Sequence, residues 1–178
     1  MAQKYYHARL MSEQTVIDSL EFARAGQELR GSLPVTRLMR LQDCLFDADG
    51  SVQFVVRGGR DDERRPTLAV EISGLLHLQC QRCLEVLEYT LRLSNTLLLV
   101  RQGEDLSANA EDPEAADCIE ASPETDVAAL IEDEILLSLP FAPRHTDDSC
   151  RSVVDKSQRE VEKSSAFAKL AGLKNLKQ

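Results

Sequence analysis

Four residues in two separate parts of the chain have the chemistry of metal ligands. Cys80 and Cys83 are spaced as Cys-x-x-Cys, which allows two thiolates to bind one metal ion, as in zinc knuckles. His145 and Cys150 come much later in the chain and would complete a set of three thiolates and one imidazole. The separation is far larger than the ligand spacing of a zinc finger, so the fold would have to bring the two segments together. Zinc is the one cofactor that these residue types suggest.

Two other interpretations of Cys80 and Cys83 remain open. They could be ordinary half-buried thiols at the end of a hairpin, because one Cys-x-x-Cys without a second pair is half of the usual zinc signature. A thioredoxin-like redox site is disfavoured, since that site needs the motif at the start of a helix in a βαβ unit. The odd number and irregular spacing of the cysteines are also unlike a secreted disulfide scaffold. These cysteines are Cys44, Cys80, Cys83, Cys118 and Cys150.

Basic residues that could contact RNA phosphates fall in a predicted loop, in the Cys-x-x-Cys segment and near the C-terminal end. The candidates are Arg57, Arg60, Arg64, Arg65, Arg82, Lys163, Lys169, Lys174 and Lys177. In the loop, Asp61, Asp62 and Glu63 lie between the arginines, so neutralisation within the loop is the simpler interpretation. From Lys163 onward there is no acidic residue, but four lysines alone would give weak, salt-sensitive binding.

Charge is distributed unevenly along the chain. The whole sequence carries a net charge of −9, yet twelve acidic residues and no Lys or Arg lie between Gln102 and Glu134. Without these twelve residues the rest of the chain carries a net charge of +3. A chain polarised in this way could approach RNA through its basic part and a basic protein through its acidic part.

Three consecutive acidic residues, Glu132, Asp133 and Glu134, raise the alternative of a hydrolase or nuclease built on carboxylates. Consecutive helix positions point about 100° apart, so these side chains cannot converge on one centre. A solvated helix face is the better interpretation. No catalytic residue is therefore assigned, and the chain is predicted not to be an enzyme.

Three segments, in order, resemble the YceD family and together cover about residues 74–174. Residues 78–84 (Leu-Gln-Cys-Gln-Arg-Cys-Leu) resemble its central signature. Residues 126–140, continuing into Pro143-x-His145 and Cys150, resemble its second block. Residues 166–174 resemble its closing motif, a Phe-Ala pair followed by Leu and Lys.

The resemblance implies a ribosome-biogenesis factor that acts in the synthesis, processing or stability of large-subunit (23S-type) ribosomal RNA. The family has no established catalytic residue, so none is transferred. The implied partners are the precursor of that RNA, a basic ribosomal protein, or both, with no membrane and no small-molecule substrate. Some relatives have more cysteines where this chain has His145 and Cys150, which supports the zinc hypothesis. A zinc-binding or RNA-binding adaptor without a specific ribosomal role remains the alternative.

The elements that must position these residues are predicted to form an α+β fold. Hydrophobic alternation with a period of two predicts strands over residues 51–57, 67–79 and 84–100, joined as an antiparallel meander. The Cys-x-x-Cys lies at the hairpin between the last two, Gly58-Gly59 ends the first, and Gly74 marks a bulge or bend. A weak strand over residues 28–33 and one or two helical turns ending near Cys44 precede the meander. Amphipathic helices over residues 12–25 and 126–139, capped by Ser12 and Asp126, are expected to cover one face of the sheet.

One domain is predicted over residues 1–150, with residues 101–125 as an acidic mobile loop. Residues 151–178 are predicted to be a charged linker followed by a short basic helical tail. Hydrophobic residues make up 43% of the chain, but aromatics only 4% and there is no Trp, so Leu and Val must fill most of the core. No apolar stretch approaches the roughly 20 residues of a membrane span, and the N-terminus does not resemble a secretory signal. A cytoplasmic location is therefore expected.

Overall fold

The computed structural model of the protein describes residues 6–7, 15–101, 103, 117–146 and 150. Two α-helices are described, α1 (Ser19–Arg24) and α2 (Val127–Ser138), together with two short 3₁₀ helices, Val35–Arg37 and Leu41–Cys44. The described strands are β1 (Tyr6–His7), β2 (Val16–Ile17), β3 (Glu28–Pro34), β4 (Ser51–Arg60), β5 (Pro66–Gln79), β6 (Val86–Val100), β7 (Asp117–Glu120) and β8 (Thr125–Asp126). The predicted α+β class is confirmed.

Six strands form one mixed sheet in the order β1-β3-β4-β5-β6-β7, and β2 and β8 form a small antiparallel pair. The central strands β3 to β6 are antiparallel, as the predicted meander requires. The edges differ from the prediction, because β1 runs parallel to β3 and β7 runs parallel to β6. The predicted bulge at Gly74 is wrong, since Gly74 pairs in continuous register with Val52 on one side and Leu91 on the other.

Strand β7 lies in the segment that was predicted to be an acidic mobile loop. Asp117–Glu120 instead pairs with the end of β6, and the side chain of Ile119 packs against the hydrophobic core. Backbone hydrogen bonds to an already formed strand and burial of Ile119 outweigh the weak local strand preference of this acidic sequence. The remainder of that segment, residues 102 and 104–116, lies outside the described residues, as does the predicted linker and tail, residues 151–178.

The main core cluster joins the sheet with α1, α2 and the 3₁₀ segments, and it is built mainly from branched aliphatic side chains. Among the residues that the structure describes, the twelve largest fully buried side chains are all Leu, Ile or Val, which agrees with the low aromatic content of the chain. Along β5, the buried positions Leu68, Val70 and Ile72 alternate with outward-facing residues. Each such side chain contributes roughly 1.5–3 kcal/mol through its burial.

Helix α1 is shorter than the predicted helix over residues 12–25. It begins after Asp18, whose side chain accepts a hydrogen bond of 2.8 Å from the backbone N–H of Glu21. The two β-branched residues before it, Val16 and Ile17, form β2 and pair with β8. Pairing with β8 and the cap at Asp18 therefore replace the predicted helical conformation at residues 15–18, and the predicted cap Ser12 lies outside the described residues. Gly26 has a φ of 60° and follows the end of α1, as predicted.

Gly58 and Gly59 do not end β4, which continues to Arg60. The backbone of α1 crosses β4 at Gly58. A Cβ atom there would overlap the carbonyl oxygen of Phe22 and lie 2.7 Å from the Cα of Ala23. Glycine at position 58 thus allows close packing of a helix on a strand rather than a turn.

Replacing Gly58 with Ala is expected to lower the free energy of unfolding by about 2–3 kcal/mol, because α1 must move away from β4. Gly59→Ala is the matched control, since its nearest atom would be Thr67 Oγ1 at 3.4 Å. Urea unfolding of the two variants provides the comparison. Equal stability losses at the two positions would contradict the proposed contact.

Among the described residues, no helix combines the length and the apolar character needed to span a membrane.

Candidate metal centre and basic surface

The hairpin between β5 and β6 positions the first two candidate ligands. Cys80 directly follows β5, its backbone N–H donates to Glu85 O at 3.0 Å, and its carbonyl accepts from the N–H of Leu84 at 2.9 Å. Leu84 has a φ of 61°, a left-handed conformation that costs a non-glycine residue about 1–2 kcal/mol. This tight turn buries the side chains of Cys80 and Cys83 although the residues between them are exposed.

The loop after α2 brings the other two candidates to this hairpin. The backbone N–H of Gln81 donates to the carbonyl of Pro143 at 2.8 Å. Two residues further along, His145 Nε2 lies 2.9 Å from the carbonyl oxygen of Val86. Cys150 is also buried at this point, with 4% of its surface exposed. The fold therefore joins two segments that are far apart in the sequence.

All four candidate ligand atoms lie within 4.8 Å of one another. The Sγ atoms of Cys80 and Cys150 are 3.6 Å apart, and Cys83 Sγ lies 3.4 Å from His145 Nδ1. In a tetrahedral zinc site, ordinary metal–ligand distances place two sulfurs about 3.8 Å apart and a sulfur and a nitrogen about 3.6 Å apart. These two separations fit one tetrahedral metal ion, and the other ligand atoms lie close enough to join it.

The hydrogen bond made by Nε2 of His145 determines which ring nitrogen is free of a proton and could bind a metal. A carbonyl oxygen only accepts hydrogen bonds, so Nε2 must carry the proton that it donates to Val86 O. The neutral imidazole then has an unprotonated Nδ1, and this atom faces Cys83 Sγ. Such a hydrogen bond from the far nitrogen is the usual way in which proteins orient a metal-binding histidine.

Two thiols of the cluster, those of Cys80 and Cys150, differ strongly in their affinity for protons. Burial alone would raise the pKa of Cys80, but hydrogen bonds from the backbone N–H groups of Cys83, Arg82 and His145 lower this pKa to about 5. The pKa of Cys150 is raised to about 11 by burial and by the adjacent sulfurs of Cys80 and Cys83. A metal cation would offset the repulsion between closely spaced thiolates and displace the remaining proton.

None of these cysteines is in a disulfide bond. The 3.6 Å between Cys80 Sγ and Cys150 Sγ is far longer than the S–S bond of about 2.05 Å. Three buried thiols, partly covered by Leu87, and one oriented imidazole form a cluster that could hold a metal ion.

The three consecutive carboxylates of α2 are not the solvated face that the sequence predicted. Glu132 and Glu134 are buried, with 7% and 5% of their surface exposed. Glu132 accepts from the backbone N–H groups of Arg40 and Leu41, at 2.7 and 3.1 Å, and from Arg40 Nε at 2.9 Å. Asp133 also pairs with Arg40, at 2.6 Å from Nη1.

Glu134 lies on a different side of α2 and accepts from Asn95 Nδ2 at 2.9 Å. Glu132 and Asp133 therefore share Arg40, contrary to the expectation that consecutive side chains cannot reach one centre, whereas Glu134 binds a separate part of the structure. A signal for the burial of Glu134 existed in the sequence: it follows the buried residues Leu130 and Ile131 by four and three positions, on one helix face. No such local pattern identifies the partner of Glu132, because Arg40 and Leu41 are distant in sequence.

The candidate RNA-contact residues are only partly engaged in ion pairs. Arg57 binds Glu28 and Glu71, and Arg65 binds Asp61 and Glu63. Neutralisation within the loop thus applies to Arg65, whereas Arg57 lies on β4 and its partners belong to β3 and β5. By contrast, Arg60 and Arg64 form no ion pair with any residue that the structure describes.

The remaining basic candidates are distributed elsewhere. Arg82 is exposed on the hairpin, between the two cysteines. The four lysines, Lys163, Lys169, Lys174 and Lys177, lie outside the described residues.

Comparison with known proteins assigns the family. Residues 68–177, which include all four candidate metal ligands, match the family model described as large ribosomal RNA subunit accumulation protein YceD. The chain is also 25% identical over 169 residues to the large ribosomal RNA subunit accumulation protein YceD of Haemophilus influenzae, covering 89% of this chain and 94% of that relative. No solved protein structure matches the chain. Because the family model spans more than half of the sequence, the chain belongs to the YceD family.

Proposed function

We propose that the protein is a non-catalytic ribosome-biogenesis factor that supports the accumulation of large-subunit ribosomal RNA. It acts in the synthesis, processing or stability of that RNA by binding its precursor or a basic ribosomal protein. The observation that carries this proposal is the family match over residues 68–177, together with a relative named for this role that aligns along most of the chain. A cytoplasmic location follows from such a role.

A structural zinc ion is part of the proposal. Structural zinc sites use four protein ligands, whereas catalytic sites keep one position open for water or substrate. Cys80, Cys83, His145 and Cys150 supply four donors, which supports a structural role for the ion. Zinc at this position would fix the loop after α2 to the β5–β6 hairpin.

The carboxylates of α2 also favour a binding role over hydrolysis. Glu132 is occupied by two backbone N–H groups and Arg40, and Glu134 by Asn95. A nuclease or hydrolase would need such groups to converge on a substrate or a metal ion. The use of Glu132 and Glu134 in packing α2 therefore supports a binding role.

Negative charge on the folded domain supports contact with a basic protein. Of the twelve acidic residues between Gln102 and Glu134, seven lie in the part of the chain that the structure describes. Asp117, Glu120, Glu124 and Asp133 are exposed there. Complementary charge of this kind guides association and contributes to specificity.

Depletion of the protein tests the proposal. We expect cells without it to contain less large-subunit ribosomal RNA relative to small-subunit ribosomal RNA, and the wild-type gene to restore the ratio. Material co-purified with the wild-type protein should be enriched in precursor ribosomal RNA or ribosomal proteins. An unchanged RNA ratio, combined with recovery of unrelated RNAs, would instead support an adaptor without a specific ribosomal role.

A further inference from the structure

A cleft of about 360 Å³ is lined by basic residues from three parts of the chain. Arg24 comes from the end of α1, and Arg101 directly follows β6. Arg60, Arg64 and Arg65 come from the end of β4 and the loop after it. Leu20, Pro66, Leu98, Leu99 and Val100 complete the lining, and none of these described lining residues has a carboxylate or an aromatic side chain.

Three of these arginines are available to a ligand. Arg65 is held by Asp61 and Glu63, and Arg101 makes a contact of its own within the structure. Arg24, Arg60 and Arg64 are exposed and form no ion pair with the described part of the chain. Within the part of the chain that the structure describes, the cleft therefore holds uncompensated positive charge.

The acidic residues near the cleft do not compensate this charge. Glu120 of β7 lies opposite Val100 of β6, and Glu21 lies on α1, but neither carboxylate lines the cleft. Asp61 is committed to the loop itself, because its carboxylate accepts from both the backbone N–H and Nε of Arg65, at 2.7 and 2.6 Å.

The same loop holds Arg64 in an unfavourable backbone conformation. Its φ is 64°, which costs a non-glycine residue about 1–2 kcal/mol. Hydrogen bonds from Arg64 N to Asp61 O and from Asp61 N to Arg65 O, both 3.0 Å, close the turn. Strain maintained in this way at a charged cleft is typical of a binding site.

We propose that this cleft binds the phosphodiester backbone of RNA. Each guanidinium can present two parallel N–H donors to a phosphate, and the buried floor at Leu98 and Leu99 strengthens these contacts by limiting water. Without an aromatic side chain for base stacking, the cleft reads phosphates and not sequence. This inference rests on the proposed function and specifies the surface through which the RNA would be bound.

A double variant with a charge-matched control tests the cleft. The variant is Arg60→Gln/Arg64→Gln, and the control is Arg37→Gln/Arg92→Gln, which removes two exposed arginines elsewhere. Binding of a short fluorescein-labelled fragment of large-subunit ribosomal RNA is measured by fluorescence anisotropy across a salt series. We expect the cleft variant to bind about tenfold more weakly, with a salt slope reduced by about two, and the control to lose less than about twofold.

Three results would overturn the proposal: full RNA affinity in the cleft variant, an equal loss in the control, or no RNA binding by the wild-type protein. Competition by polyglutamate as effective as that by RNA would reassign the cleft to an acidic peptide. The depletion experiment separates this inference from the proposed function. If the cleft variant restores the RNA ratio as well as wild type does, the cleft proposal is wrong and the function stands. If wild type itself does not change the ratio, the function is wrong.

Discussion

Protein purified without a chelator is expected to contain about one zinc ion per chain, and the Cys83→Ser variant close to none. The two loops already place the ligand atoms at separations suited to a tetrahedral ion. A serine hydroxyl is a poor zinc ligand in comparison with a thiolate. We therefore expect the zinc affinity to fall by more than about 100-fold, beyond the loss that follows removal of an outer hydrogen-bond partner.

Elemental analysis by mass spectrometry gives the zinc content, and Cys44→Ser is the matched control. Cys44 is an exposed thiol outside the cluster, so its replacement should leave the metal content unchanged. Equal zinc in the Cys83→Ser and wild-type proteins, or near-zero zinc in both, would end the zinc proposal.

Removal of zinc should also lower the melting temperature of the wild-type protein. Without the cation, the crowded sulfurs of Cys80, Cys83 and Cys150 lose the charge that offsets their repulsion. The loop that carries His145 would then be held to the hairpin by few contacts, such as that between Gln81 and Pro143. Thermal unfolding with and without a chelator measures this effect, and the chelator should leave Cys83→Ser unaffected.

The Glu132→Ala variant is expected to lose about 3–5 kcal/mol in its free energy of unfolding. Glu132 is the acceptor for two backbone N–H groups, those of Arg40 and Leu41. Leu41 is fully buried, so its N–H would be left without a partner and without water. The side chain of Glu132 also connects α2 to the 3₁₀ helix Leu41–Cys44.

Asp133→Ala is the control for this prediction. Its carboxylate binds the same arginine, but the side chain is 53% exposed and serves no backbone N–H in the described structure. Solvent screening makes such pairs weak, so a small fraction of the Glu132 loss is expected. Glu132→Gln, which retains one acceptor oxygen, should fall between them. Urea unfolding measures all three variants, and similar losses at positions 132 and 133 would contradict the burial argument.

These two predictions concern connected parts of the molecule. Helix α2 ends at Ser138, and the loop that carries Pro143 and His145 follows it directly. The contact between Glu132 and the backbone at residues 40–41 therefore fixes the element from which the second half of the metal centre extends. A stable position of α2 is a condition for the approach of His145 to Cys83.

Local pattern predicted much of the framework because it reflects interactions between near neighbours. The alternation of hydrophobic residues with a period of two identified β4, β5 and β6. It also placed Cys80 and Cys83 at the hairpin between β5 and β6. The cap at Asp126 was also predicted, since its side chain accepts from Ala128 N, only two residues away. The chemistry of the four proposed metal ligands could likewise be read from residue type alone.

The errors occurred where a distant partner outweighed local preference. β7 forms within an acidic segment because β6 offers a complete row of backbone partners. Gly58 continues β4 because α1 crosses it, although two adjacent glycines usually indicate a turn. Glu132 is buried because the backbone N–H groups of a remote segment need an acceptor.

The sequence by itself determined the strands β4, β5 and β6, the composition of the core and the kinds of atoms available to a metal ion or to phosphate. Those properties depend on side-chain chemistry and on the spacing of hydrophobic residues, which is two in strands and three to four in helices. Both are the same in every conformation of the chain. Only the tertiary structure decided which of these atoms meet. The approach of His145 and Cys150 to the hairpin, and of Arg24 and Arg101 to the loop arginines, requires long loops to close. Whether such loops close depends on the free energy of the whole folded core. That free energy cannot be read from any single segment of the sequence.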